Sequence, residues 1–438
     1  MLSQDSIQTM AKKAKKASLR IANLDSSEKN RLLKAISERV KKSSQLIADS
    51  NLLDIQEAQK LVADGSLSKP LLDRLKLTDE KIVQLSTYLD EVARLEDPVG
   101  KKQFAIRLAE GMELERVTCP IGVVAVIFES RPEVVIQVTA LSLKSGNAVI
   151  LKGGREAFHS NKILFQIINE VLVEFDLNNT VNLIETRDDV AVLLNEDRNI
   201  DLIIPRGSNE FVKYIQDHTK IPVLGHSSGI CHIYIDDNID VDKTIKIVVD
   251  AKTDYPSACN ALETLLIHRS AADSILPRII RELSNYKVRM LGCEKSVKIA
   301  NQNNLKLDLA TEQDWSTEYT DLILSIKTVD SLSDAMDHIN TFGSHHTDTI
   351  ITENRENAEL FLKQVDSGCV FHNASTRFSD GYVFGLGAEV GISTNKTHSR
   401  GPVGLDGMVI YKYLLRGDGH LRSSFSGPQA EKFLHIPL

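Results

Sequence analysis

The first hundred residues set apolar side chains at helical spacing. Ile7, Met10, Ala11, Ala14, Ala17 and Ile21 fall on one stripe, which leaves Lys12, Lys13, Lys15 and Lys16 largely to solvent. Asp25, followed three residues later by Glu28, is a helix-start signature, and the helix it opens carries Leu33, Ile36 and Val40. Helical spacing resumes over 70–95 until Glu96-Asp97-Pro98-Val99-Gly100 breaks it. A looser alternation over 101–117 predicts two strands, a hairpin-like insertion ahead of a main sheet.

From Pro120 the period changes. Continuous apolar runs at 123–128, 148–151, 181–184 and 202–204 alternate with helical segments, and 221–224 closes the series. Short apolar strands alternating with helices specify βαβ units and a parallel sheet, whose ligands sit at the carboxyl ends of the strands. A strand at 231–235, a helix over 241–252 and a strand over 264–268 follow, with helix–strand alternation to about 370. The Gly-, Asn- and Ser-rich stretch 373–394 also carries aromatic anchors, which predicts an ordered functional loop and not a linker.

Composition narrows the function classes. A chain of 438 residues exceeds one ordinary core, so two or three domains are expected. The net charge of −8 argues against a nucleic-acid or anionic-membrane partner. No apolar run approaches the roughly 20 residues that span a bilayer. The first twenty residues lack the apolar core of a secretory signal; their basic amphipathic character could mimic a mitochondrial presequence, but Asp5 and the acidic residues soon after it fit a docked helix better. Five cysteines, Cys119, Cys231, Cys259, Cys293 and Cys369, are odd in number and scattered, with no CxxC pair and no zinc-ligand spacing. Neither a disulfide framework nor a metal site is expected, and the chain reads as cytoplasmic with reduced thiols.

The stretch 252–263 carries the candidate chemistry. Cys259 stands just after a Pro256-Ser257 turn, and the residues after it can start a short helix leading into the strand at 264–268. A thiol at a helix N-terminus faces unpaired N–H groups and the positive end of the dipole, which favours the nucleophilic thiolate. The same N–H groups can hold an oxyanion. A buried, inert thiol is the alternative the local sequence leaves open. There is no GxGxxG; Gly153-Gly154 and Gly207-Ser208 are single βα turns, compatible with a tight turn or with phosphate contact.

The ordered motifs IFESRPEV (127–134), SLKSGNAVILKGG (142–154), IPRGSN (204–209), DAKTDYPSACNALETLL (250–266), NASTRF (373–378), FGLGAEVGIST (384–394) and RGPVGLDG (400–407) resemble the γ-glutamyl phosphate reductases. These are glutamate-5-semialdehyde dehydrogenases of the aldehyde dehydrogenase superfamily. The resemblance runs from the first helices to about Gly419, with 420–438 outside it. It implies an α/β fold: a Rossmann-type parallel-sheet cofactor domain (1–97 and 118–227), an α/β catalytic domain (228–405) and a small β oligomerisation element (98–117 and 406–424).

The resemblance also implies roles. Cys259 would be the nucleophile that attacks L-glutamate 5-phosphate, forming a thioester that NADPH reduces to the semialdehyde in proline biosynthesis. Lys152 would contact the cofactor ribose, Gly207 and Ser208 the pyrophosphate, and Glu318 the nicotinamide ribose. Arg155, three positions beyond Lys152, would join it at the 2′-phosphate of NADP. Arg131 would bind the acyl phosphate, and Asn260, Asn373 and Arg377 the rest of the substrate, Arg377 suiting a carboxylate. Relatives that oxidise free aldehydes carry a carboxylate where His226 stands here, so phosphate and not water is expected to exchange with the thioester. Expected partners are the small-molecule substrate, further copies of the chain and a glutamate 5-kinase. Two other functions stay open: an NAD-dependent oxidiser of free aldehydes, and a catalytically silent binding protein that keeps the fold.

Overall fold

A computed structural model of the chain describes residues 4–438 apart from Ser68, Ser208, His226 and Ser227. The described chain divides into two compact units, 1–207 with 214–224 and 403–438, and 208–213 with 225–402.

The first unit opens with helices α1 (Gln4–Ile21), α2 (Ser26–Lys42), α3 (Ser44–Ala63), α4 (Lys69–Leu75) and α5 (Asp79–Arg94). The apolar stripe of α1 is buried at Ile7, Ala11, Ala14, Ala17 and Ile21. Its lysines face solvent except Lys15, whose ammonium reaches both carboxylate oxygens of Asp201 at 2.6 Å. Asp25 and Glu28 form a reciprocal capping box on α2. Strands β1 (Lys102–Ala109) and β2 (Met112–Pro120) form the expected hairpin.

The parallel sheet of this unit is built from β3 (Val123–Phe128), α6 (Val134–Lys144), β4 (Ala148–Lys152), α7 (Phe158–Glu174), β5 (Val181–Ile184), α8 (Arg187–Leu193) and β6 (Leu202–Arg206), in strand order β5-β4-β3-β6. Every residue of β3 and β4 is buried, which is why these strands read as unbroken apolar runs. The expected strand at 221–224 is only a bridge, Val223 to Ile203, because Pro222 supplies no N–H to a ladder. Helix α9 (Asn209–Asp217) follows β6.

The second unit holds a seven-stranded sheet. Its elements are β7 (Cys231–Ile235), α10 (Val241–Thr253), β8 (Leu262–His268), α11 (Arg269–Asn285), β9 (Arg289–Gly292), α12 (Glu294–Gln302), β10 (Asp308–Leu309), β11 (Ile323–Val329), α13 (Leu332–Phe342), β12 (Thr347–Ile351), α14 (Arg355–Gln364) and β13 (Cys369–His372). The order β10-β9-β11-β8-β7-β12-β13 is parallel throughout. Helices cover both faces. Ile233, Ile235, Leu265 and Ile267 pack with α10 and α11, whereas Tyr234 and Leu266 point the other way onto α13 and α14. Two three-residue strands follow, β14 (Gly391–Ser393) and β15 (Gly401–Val403).

The chain then returns to the first unit. Strand β16 (Val409–Arg416) pairs with β2, and the final strand β17 (Ile436–Pro437) pairs with β1, giving a separate antiparallel sheet in the order β16-β2-β1-β17.

Candidate active site

Cys259 does not start a helix. Thr253 ends α10, and the chain then makes two successive turns, closed by Ala258 N–H to the Tyr255 carbonyl (3.0 Å) and Ala261 N–H to the Ala258 carbonyl (2.9 Å). Strand β8 begins at Leu262, because Leu262 already pairs with Cys231 of β7. The residues expected to form a short helix are thus absorbed by the second turn and the strand. Neither turn bond uses the N–H of Cys259, whose side chain is half-buried.

The peptide of Cys259 is gripped from below. Cys231 is fully buried, and its thiol donates to the Cys259 carbonyl at 3.3 Å. Burial pushes the Cys231 thiol well up, so it stays protonated and remains a donor. Gly229 packs against the same peptide. A Cβ there would stand 2.0 Å from the Cys259 carbonyl oxygen, so glycine is needed for close approach and not for an unusual φ.

The loop is also pinned at both ends. The pairing of β7 with β8 shifts register between Cys231 and His232, leaving Glu263 as an extra residue in β8. A bulge re-aims its side chain. The Glu263 carboxylate receives the Lys252 ammonium from α10 at 2.9 Å, with both groups fully buried, and accepts a second bond from the Thr320 N–H at 3.3 Å. Burial raises the Glu263 carboxyl to about 7 and lowers Lys252, and each opposes the shift of the other.

The 373–394 stretch supplies the neighbouring wall. Asn260 donates to the Ser379 carbonyl at 2.9 Å and to the Arg377 carbonyl at 3.4 Å. The Arg377 guanidinium donates from Nε to Asp254 at 3.1 Å and lies 5.9 Å from the centre of the Tyr255 ring. The Arg377 backbone is therefore tied to Asn260, the residue after Cys259. Asn373 sits in the left-handed region (φ 53°), and its amide brackets the Thr352 backbone, accepting from the N–H at 3.0 Å and donating to the carbonyl at 2.9 Å. That engagement gives it a scaffolding position. Glu318 is half-buried; its carboxylate accepts from Asn209 at 2.7 Å, and its charge contributes to raising Glu263.

In the first unit, Lys152 ends β4 and is 8% exposed. Gly153 and Gly154 follow: a Cβ at Gly153 would stand 2.1 Å from the Asn161 amide and 3.1 Å from the Phe128 ring, whereas one at Gly154 would meet only the Glu156 carboxyl group, at 2.0 Å. Arg155 is exposed, while the neighbouring Glu156 is occupied, accepting from both the N–H and the hydroxyl of Ser130 at 2.7 and 2.6 Å. The Ser130 hydroxyl is thus committed to Glu156. Arg131 is half-buried in the turn between β3 and α6, and Gly207 is exposed just past β6. Ser208 and His226 lie outside the described residues.

The helix-N-terminal thiol geometry belongs instead to Cys293, which caps α12. Burial pushes it up, but hydrogen bonds from Ser296 and the Thr328 N–H outweigh burial and leave it lowered. Gly229 and Cys231 lie outside the ordered motifs, and the motif at 250–266 spans Lys252, Asp254 and Glu263 without giving them a role. The one local signal is Glu263 itself, a charge set among Leu262, Leu265, Leu266 and Ile267. Among the described residues no group of three or more His, Cys, Asp or Glu side chains could hold a metal ion, and no helix is long and apolar enough to cross a membrane.

Residues 1–306 match the model of the aldehyde dehydrogenase family. The chain is 50% identical over 431 residues to the gamma-glutamyl phosphate reductase of Acetivibrio thermocellus, covering 98% of both chains. It is 49% identical over 435 residues to the enzyme of the same name from Methanosarcina mazei, covering 99% of this chain and 97% of the other. The likeness therefore extends into 420–438, beyond the motifs. The crystal structure of gamma-glutamyl phosphate reductase from Thermotoga maritima matches with a TM-score of 0.91 at 38% identity, over 95% of this chain and 99% of that one.

Proposed function

The chain belongs to the γ-glutamyl phosphate reductases of the aldehyde dehydrogenase family, and we propose that it reduces L-glutamate 5-phosphate to L-glutamate 5-semialdehyde in proline biosynthesis, with NADPH as reductant. The observation that carries the mechanism is the setting of Cys259: a half-buried thiol on a loop locked from beneath, with its own N–H outside both turn bonds.

In this reading the Cys259 sulfur attacks the acyl carbon of the substrate. The bond to phosphate breaks, phosphate leaves with its electron pair, and a thioester remains on the enzyme. The Cys259 N–H stabilises the oxygen that becomes negative during attack, and Arg131 meets the departing phosphate. In this reading Lys152 and Arg155, in the turn after β4, would meet the 2′-phosphate of NADP, and the engagement of the nearby Glu156 carboxylate by Ser130 supports it. Gly207, Ser208 and Glu318 complete the proposed cofactor set. Bound there, NADPH supplies the hydride that reduces the thioester. The resulting hemithioacetal collapses: its oxygen re-forms the carbonyl, the C–S bond breaks with the electron pair left on the Cys259 sulfur, and the aldehyde is released.

The reading also includes a homo-oligomer built through β16, whose Ile410, Tyr411, Tyr413 and Leu415 are exposed. A glutamate 5-kinase in the same cytoplasm would supply the acyl phosphate.

The test runs the reaction backwards. Pyrroline-5-carboxylate, the cyclised form of the semialdehyde, is supplied with NADP, and NADPH formation is followed with and without phosphate. NADPH should form only with phosphate or with arsenate in its place. Formation at full rate without either anion would overturn phosphate exchange and point to hydrolytic aldehyde oxidation.

A further inference from the structure

The Asp254–Arg377 pair, joined to the loop that carries Cys259, has a composition that a carboxylate-binding site alone does not need. Asp254 is the C-cap of α10, at the negative end of that helix, where an acid is disfavoured. It is 56% exposed, whereas its partner Arg377 is only 19% exposed. The Tyr255 ring lies near the guanidinium. The Arg377 backbone is tied to Asn260, the residue next to Cys259, so the pair is anchored to the nucleophile loop from both sides. A locally unfavourable acid that persists on such a loop invites a functional account.

We propose that Asp254 and Arg377 act as one recognition unit for the α-carbon of the substrate, Asp254 taking the α-ammonium and Arg377 the α-carboxylate. The inference rests on the reading above and deepens it by making the site selective for α-amino acids. In the free enzyme the two side chains satisfy one another at 3.1 Å. An entering zwitterion inserts between them and restores a partner to each. An acid that lacks the ammonium opens the pair, satisfies Arg377 and leaves Asp254 facing a carboxylate. Arginine alone would accept any carboxylate of suitable length; the repulsive element is what gives specificity. Asp254, the more exposed partner, is the one free to swing aside.

The experiment compares two aldehydes in the phosphate- and NADP-dependent oxidation: glutamate 5-semialdehyde, supplied as pyrroline-5-carboxylate, and 5-oxopentanoate, which keeps the carboxylate but has hydrogen in place of the ammonium. Wild type should prefer the amino aldehyde at least tenfold in kcat/KM. Asp254→Asn should erase roughly tenfold or more of that preference, the range of one charged hydrogen bond, chiefly by raising KM for the amino aldehyde. Arg377→Lys should weaken both substrates, since both carry the carboxylate. The rate of Cys259 alkylation by iodoacetamide reads the integrity of the loop. An Asp254→Asn enzyme that keeps the full wild-type preference overturns the inference. Equal losses on both aldehydes with slowed alkylation also overturn it, by making Asp254 a structural brace. A wild type that oxidises neither aldehyde would refute the underlying activity instead.

Discussion

Gly229→Ala probes how the nucleophile is held. A Cβ at this position would lie 2.0 Å from the Cys259 carbonyl oxygen and 2.6 Å from its carbonyl carbon and Cα. Carbon and oxygen approach no closer than about 3.3 Å in ordinary contacts, so one backbone segment must give way by roughly 1.3 Å. All three neighbours are backbone, and no side-chain rotation relieves them. Displacing the carbonyl also pulls it off the Cys231 thiol, now at 3.3 Å. Overpacking of this kind costs about 1–3 kcal/mol. For a unit of this size, each kcal/mol lowers Tm by roughly 2–4 °C. Activity should suffer more, because moving a reacting group by about 1 Å can cost ~10²-fold. The expected signature is a Tm drop of a few degrees, a loss of about a hundredfold in kcat, and altered iodoacetamide alkylation of Cys259. Thermal melts, NADPH-consumption kinetics and alkylation rates measure these. Wild-type kcat and alkylation in a folded Gly229→Ala enzyme would refute the claim that this contact positions Cys259.

Cys259→Ser should abolish reduction while cofactor affinity, read by NADPH fluorescence titration, stays near wild type. Retention of more than about a hundredth of the activity would remove Cys259 as nucleophile, since acid–base effects alone reach only about 10²–10⁴-fold. Arg155→Glu should lower the NADPH/NADH ratio of kcat/KM at least tenfold, about 1.4 kcal/mol; an unchanged ratio excludes Arg155 from cofactor selection. Lys252→Met leaves the buried Glu263 carboxylate without its partner, at a cost of about 3–5 kcal/mol when ionised. Burial already raises Glu263 from 4.5 to about 7, and losing Lys252 raises it further. A raised carboxyl gives stability that is complete below the unfolded value near 4.5 and is lost as pH climbs through the folded value. The Tm gap between wild type and Lys252→Met should therefore be small near pH 5 and widen towards pH 8. A pH-independent gap contradicts that account.

The legible parts of this protein were those set by short-range periodicity. The buried stripe of α1, the Asp25–Glu28 capping box, the 102–120 hairpin and the alternation of apolar strands with helices all depend on residues within a few positions of one another. Hence the α/β class, the first parallel sheet, the helix–strand alternation after it and the candidate loop around Cys259 could be read in chain order, and the ordered motifs carried the family. What the tertiary structure alone decided is how that loop is held. Cys231 and Cys259 are 28 positions apart, Asn260 and Ser379 119, and Asp254 and Arg377 123. The one-residue register shift that leaves Glu263 extra in β8 belongs to a pairing between two strands and leaves no period in either. The helix expected after Cys259 illustrates the same limit. Its residues are able to start a helix, but a turn takes Asn260 and Ala261, and pairing with Cys231 claims Leu262 for a central strand that is buried on both faces.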